Sequence, residues 1–263
     1  MSVVGHVESL WRYPVKSMRG EKLQDAFIAF SGVYGDRLYA FHNPAAPAGF
    51  PYLTGRELEA MLLYRPKFRH SEKALRPPNL AEAESLTPGL TPVYPSPADL
   101  IVDVETPAGD VLAIDNPVLH DRLCTGSGAA KELTLLRSDR AMTDCRPVSL
   151  ISIQTVSALG EEVGMALDQR RFRANIYVDL DAASGFTEDT LLGRSLRIGA
   201  KAVISLLERD PRCKMITLDP DTAQANPTVL RTVAQAHDGK VGVYGAVLVE
   251  GTVCPGDEIT LLT

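Results

Sequence analysis

The chain has 263 residues, 45% of them hydrophobic, and a mean hydropathy of -0.02, which is enough to bury a sizeable core in one large domain or two small ones. Its 27 basic and 33 acidic residues give a net charge of -6 and a pI near 5.4, which argues against a general binder of nucleic acid or of a membrane surface and makes any basic site a local one. No run reaches the ~18 consecutive apolar residues of a membrane span, and "MSVVGHVESLWRYPVKS" lacks the features of a signal peptide, so the expectation is a cytoplasmic protein.

Short β-type runs dominate, starting with Val3 to Leu10, Phe27 to Phe30 and Arg37 to His42, many of them bounded by Gly, Pro, Asn or Asp. Thr54 with Glu57 three residues later makes a capping-box pattern and predicts a helix over "LEAMLLY". Between Ser71 and Asp99 stand Pro77, Pro78, Pro88, Pro92, Pro95 and Pro97, which make regular structure there unfavourable. "LIVDVETPAGDVLAID" reads as a hairpin that turns through Thr106 to Asp110. At "NPVLHDRLCTGSGAAKE" a short helix and a Gly/Ser-rich loop separate two strand-rich halves, and the domain boundary is placed there, giving units 1–116 and 117–263. Further strands follow at Leu133 to Arg137, Phe172 to Asp179, Ser195 to Leu207 with a break near Gly199, Lys240 to Val249 and Glu258 to Leu262. A helix starts near Ser152 or Thr155 and runs through "VSALGEEV", and another opens at Asn226-Pro227 and closes at Asp238-Gly239. So many short strands predict a mainly β, α+β fold rather than a doubly wound sheet.

Walker A, G-x-G-x-x-G, H-E-x-x-H and G-x-S-x-G signatures are all missing, and the five histidines are scattered. Cys124, Cys145, Cys213 and Cys254 form no C-x-x-C pair, which reads as reduced, individual thiols. Cys213, in "ERDPRCKMITLDPDT", has cationic neighbours in Arg209, Arg212 and Lys214. These would favour a thiolate, the soft metal ligand and nucleophile, if one of them shares its side of the chain; otherwise Cys213 is an ordinary structural cysteine with basic neighbours in solvent.

Three other segments are ambiguous singly. "RYPVKSMRG" places Lys16 beside Ser17 at a strand end, "GDR" brings Arg37 into a strand, and "RFRAN" would project Arg173 and Asn175 from one face of a strand. Taken together, the four segments suit a ligand that carries a phosphate, a polar heterocycle and a thiophilic metal.

"YPVKS", "GDR", "RFRANI", "RCKMITLDPDT" and the closing "GTVCPGDEITLL" resemble the MOSC-domain proteins over essentially the whole chain. The resemblance implies a mixed β-barrel MOSC domain preceded by an amino-terminal β-rich MOSC domain, with a few short helices. It is the architecture of amidoxime-reducing molybdoenzymes and of the carboxyl-terminal part of molybdenum cofactor sulfurases. It further implies a molybdenum-molybdopterin cofactor with Cys213 as the catalytic metal ligand, and Lys16, Ser17, Arg37, Ser152, Arg173, Asn175, Arg212 and Tyr244 as cofactor contacts. The expected activity is reduction of a small N-hydroxylated or N-oxide substrate with electrons from a separate flavin reductase, ferredoxin or cytochrome. A Cys213 persulfide carrier and a non-catalytic cofactor carrier are the alternatives. The sequence departs from the family at Met18, Ala174 and Asp210, where relatives commonly carry cysteine, proline and cysteine.

Overall fold

The computed structural model describes residues 2–87, 93, 95–128, 133–181 and 184–262. In chain order the strands are β1 (Ser2–Arg12), β2 (Glu21–Leu23), β3 (Ala26–Ala29), β4 (Gly32–Val33), β5 (Tyr39–His42), β6 (Arg65–Phe68), β7 (Val102–Glu105) and β8 (Val111–Ala113). They continue with β9 (Thr134–Arg137), β10 (Val148–Ser152), β11 (Ile176–Leu180), β12 (Ser195–Ile198), β13 (Ala202–Pro211), β14 (Lys240–Val249), β15 (Gly251–Val253) and β16 (Glu258–Leu262). The helices are α1 (Leu80–Ser85), α2 (Pro117–Ser127), α3 (Ile153–Val163) and α4 (Pro227–Ala236).

The largest sheet runs β11-β10-β14-β13-β12-β16-β1-β2, and β11 also pairs with β1, so seven strands close on themselves and β2 extends the rim. Closure removes the unpaired edges that an open sheet would expose. The barrel is mixed: β10 and β11 are parallel, joined through α3, and the other pairs are antiparallel. Its interior is filled by alternating residues such as Leu196, Ile198, Ile204 and Leu206, all nearly or fully buried. β1 belongs to this barrel although it opens the chain, and the polypeptide leaves it at Arg12 to build a second apolar core that includes Phe41, Leu53, Met61, Leu100 and Leu123. That core packs the sheets β5-β9 and β6-β7-β8 and takes Phe27 and Ala29 from the sheet β15-β3-β4, whose Ala26, Ile28, Val33 and Val253 join the barrel core instead.

β14 and β16 match the expected bounds, and so does the helix opened by Asn226, whose side chain accepts from Thr228 N at 3.1 Å. The hairpin also forms, closed by Thr106 N to Asp110 O at 2.8 Å. Two expectations fail. The Thr54–Glu57 box does form, with Glu57 Oε2 accepting from Thr54 N at 2.9 Å, yet it leads only to a 3-10 turn at Glu59–Leu63. Pro66 disfavours helix at Arg65, and the chain there is taken into pairing with β7. The expected strand from Phe172 starts only at Ile176, because Gln169–Phe172 is a 3-10 turn that Arg173 ends in the left-handed region at φ 53°. Within the proline-rich stretch α1 forms, while Pro88 and Pro92 lie outside the described residues.

Candidate functional site

The strand ends and turns around the barrel mouth converge on one cleft. Lys16 and Ser17 sit just past β1, where Lys16 N donates to Tyr39 O at 2.8 Å and Ser17 adopts φ 65°. Arg37 precedes β5 at φ 45°, held by its N–H to Tyr13 O at 2.7 Å. With Arg173 these make three of the six non-glycine residues of positive φ among those described, so half of the left-handed strain is spent at one place.

Each side chain has a defined anchor. Lys16 is buried; its Nζ lies 2.5 Å from Asp144 Oδ1 and 2.8 Å from Met142 O, and it faces the rings of Phe50 and Tyr52 at 4.7 and 4.8 Å. Burial pulls its ammonium below the ordinary lysine value, with Asp144 opposing. The Arg37 guanidinium pairs with Asp36 and stacks on Tyr13 at 4.8 Å. Arg173 covers Tyr13 at 4.3 Å, so two guanidiniums meet at one ring; burial and then Arg37 lower the pKa of Arg173. Asn175, buried just before β11, bridges the two strands that flank it, donating to Trp11 O of β1 at 3.3 Å and accepting from Ser149 N of β10 at 3.3 Å. Tyr244, from β14, is pushed well above the usual phenol range by burial and then by Asp210.

The neighbours of Cys213 divide. Arg212 turns inward, donating from Nε to Val241 O at 2.7 Å and from Nη1 to Phe172 O at 2.8 Å, with Nη2 3.0 Å from Asp210 Oδ2. Lys214 turns outward to Glu59 at 2.8 Å and Arg56 O at 3.0 Å. Cys213 itself is half-buried at the start of a 3-10 turn, and its thiol has no hydrogen-bond partner among the described residues.

Lys16, Ser17, Arg37, Arg173, Asn175, Arg212, Cys213 and Tyr244 all line this cleft. Ser152 does not. It caps α3, its Oγ accepting from Thr155 N at 3.0 Å and donating to the buried Glu188 at 2.8 Å. Sequence reasoning missed Arg56, Asp144, Arg146 and Ser149 as lining residues, and quoted Arg171 without choosing it. The charged residues on either side of Cys145 were the local signal for Asp144 and Arg146; Cys145 itself is exposed and 3.5 Å from Glu208.

The cleft itself has a cavity of about 70 Å³, and about 700 Å³ of space lies in it and in the open solvent at its mouth. Seven lining cations (Lys16, Arg37, Arg56, Arg146, Arg171, Arg173 and Arg212) face two lining carboxylates, Asp144 and Asp210, while Asp36, Glu208 and Asp219 pair with Arg37, Arg146 and Arg171 from outside the lining, so two cations remain in excess in a chain of net charge -6. Arg173 Nη2 and Arg171 Nε are buried without a hydrogen-bond partner among the described residues, and Arg212 Nη2 meets Asp210 only as an unaligned ion pair. Buried donors of this kind are ordinarily satisfied, so their convergence marks an anion site.

A closed mixed barrel whose mouth gathers a half-buried thiol and a cluster of guanidiniums defines a thiol-bearing β-barrel protein with a basic cleft. The chain belongs to the MOSC family: the model of the MOSC domain matches residues 137–260, and that of the MOSC N-terminal beta barrel domain matches residues 4–85. This family is associated with molybdenum cofactor. Among solved structures, the YuaD protein from Bacillus subtilis is 14% identical over 98% of this chain and 95% of that one, at a TM-score of 0.47. YiiM from Geobacillus stearothermophilus is 22% identical at a TM-score of 0.36, and this match spans 45% of the present chain and about half (55%) of that protein. YiiM from Escherichia coli is 18% identical over the same shares, at a TM-score of 0.34. No curated protein matches the sequence significantly. No helix among the described residues is long and apolar enough to cross a membrane.

Proposed function

We propose that the chain binds a molybdopterin-type cofactor in this cleft and uses it to reduce N-hydroxylated or N-oxide compounds. The observation that carries the reading is the half-buried Cys213 thiol, without a hydrogen-bond partner among the described residues, in a cleft lined by seven cations and two carboxylates. The donor set fits the group. A dithiolene-bound molybdenum takes one protein thiolate, which Cys213 can supply, and a pterin phosphate is suited to Lys16, Arg37 and Arg173. Among the described residues no three His, Cys, Asp or Glu side chains gather to hold a metal, which fits a metal that brings most of its own ligands.

When bound, the group would supply two-electron oxygen-atom transfer. In the net reaction the N–O bond breaks, two electrons enter from a separate donor protein, and the oxygen leaves as water with two protons. The protein's part is to bind and orient. Arg212, fixed by two backbone carbonyls and Asp210, sets the loop from which Cys213 projects. The acidic turn after it is scaffold: Asp219 Oδ1 accepts from Asp221 N and Thr222 N at 3.0 Å, and Asp219 and Asp221 tie down Arg171, Arg170 and Arg19.

The test is molybdenum and pterin content of wild type and Cys213→Ala, purified in parallel from a cofactor-competent host, with benzamidoxime turnover. Molybdenum lost and pterin retained in the variant is the expected result. Wild type without metal and without turnover refutes the proposal, and cyanide-labile sulfur that depends on Cys213 would replace it with a persulfide carrier.

A further inference from the structure

A second cavity, of about 260 Å³, shares Arg173 with the first. Its apolar walls include Trp11, Leu62 and Pro220, and its charged lining is Arg19, Lys22, Arg170 and Arg173, with no carboxylate. Trp11 and Lys22 stand directly opposite each other in the β1–β2 pair, so the indole and the ammonium occupy one face. Asp221 holds Arg19 at 2.7 Å and, with Asp168, holds Arg170 at 2.6 Å, which fixes both guanidiniums. Three donors remain spare. Arg19 Nε and Arg173 Nη2 are buried without partners, and exposed Lys22 has no partner among the described residues. Gly20 belongs to the design, since a Cβ there would lie 2.3 Å from the Tyr13 ring that walls the cavity.

Spare guanidinium and ammonium donors select a phosphate, and an indole beside aliphatic walls selects a planar ring. We propose that this cavity binds an aromatic phosphate monoester of the nucleotide class, with the ring against Trp11, Leu62 and Pro220 and the phosphate at Arg19, Lys22 and Arg173. The site uses neither Cys213 nor Lys16 and so does not need the molybdenum reading, but it shares Arg173 with the first cleft, and a phosphate held there by Arg173 would compete with this one.

Trp11 is the chain's single tryptophan, so its emission reports on this cavity directly. The full-length protein is titrated with AMP, adenosine and inorganic phosphate, following emission excited at the red edge and, in parallel, heat of binding. AMP is expected to quench saturably and to bind at least tenfold tighter than either adenosine or phosphate. Lys22→Glu, at an exposed position that should leave folding intact, is expected to weaken AMP at least tenfold, through the loss of one charge-assisted hydrogen bond and the repulsion between the new carboxylate and the phosphate. In cofactor-free protein, where no other phosphate engages Arg173, Cys213→Ala should leave AMP binding unchanged. Absence of saturable AMP binding, equal affinity for AMP and inorganic phosphate, or an unchanged affinity in Lys22→Glu would each overturn the proposal.

Discussion

Asp144 occupies the place that an incoming anion needs. Its carboxylate meets Lys16 Nζ at 2.5 Å; the lysine side chain is 4% exposed and the aspartate side chain 50% exposed. Two unit charges about 4 Å apart at an effective dielectric of about 20 interact by about 4 kcal/mol. The open half of Asp144 brings solvent screening that reduces this to about 1–2 kcal/mol. A phosphate that takes Lys16 must displace that interaction, so Asp144→Asn should bind inorganic phosphate about five- to thirtyfold tighter, at 1.4 kcal/mol per factor of ten. The same change leaves a buried lysine without its anion, so the unliganded variant should lose about 1–2 kcal/mol of stability and regain it with phosphate, which binds the folded state. The pH dependence follows from Lys16. Burial already lowers its pKa and Asp144 raises it, so in Asp144→Asn the ammonium deprotonates at lower pH and the gain in affinity disappears earlier as pH rises. Calorimetric titration with phosphate and urea unfolding with and without it measure both effects. Phosphate binding no tighter in Asp144→Asn than in wild type, or unchanged when Lys16→Met is added to that variant, would refute the reasoning.

Ser152→Ala should cost about 1–3 kcal/mol in urea unfolding, through a lost helix cap and a lost hydrogen bond to buried Glu188, while phosphate binding in the cleft stays at the wild-type value. At Ser17 the usual order of substitutions should invert. With φ at 65°, Ser17→Gly relieves left-handed strain that Ser17→Ala keeps, so the glycine variant should be the more stable by about 1 kcal/mol in thermal or urea unfolding. Asp221 is held below the usual carboxylate range chiefly by its hydrogen bond from Arg170. A carboxylate with a depressed folded pKa contributes stability above its unfolded value of 3.8 and loses it as pH falls through the folded one, so Asp221→Asn should flatten the decline of unfolding free energy between about pH 5 and 2. An acid limb as steep as that of wild type would remove Asp221 from the account.

What could be read from the sequence was what local chemistry decides. Asn226-Pro227 caps a helix through one side chain, and β14 and β16 follow from alternation and flanking turns. Eight of the nine candidate residues reached one cleft because the family motifs mark strand ends, and strand ends gather at a barrel mouth. Ser152 failed because a serine before a helix already has a use as cap, and buried Glu188, 36 residues away, takes the hydroxyl as well. The Thr54–Glu57 box misled in the opposite way: its hydrogen bonds form, yet a helix also needs a following turn free of Pro66 and of strand pairing. The pairing of Asp144 with Lys16 and the second cavity were out of reach because both depend on contacts across long sequence separations, 128 residues for the Lys16–Asp144 pair.

The strained backbone explains why these cations converge. A strand sends successive side chains to opposite faces, so "PVKS", "GDR" and "RFRAN" could not all aim at one point if they continued as strands. Ser17, Arg37 and Arg173 each reverse φ at the junction with a strand, which swings the neighbouring side chains toward the mouth. Each reversal costs about 1–2 kcal/mol. Short anchors offset it: Met18 N to Val15 O at 3.2 Å, Arg37 N to Tyr13 O at 2.7 Å, and the Tyr13 ring shared by two guanidiniums. A chain that used the cleft only for packing would gain nothing from holding like charges together at that cost. An anion that meets donors already fixed in place gives up less freedom on binding, which is the return on the strain.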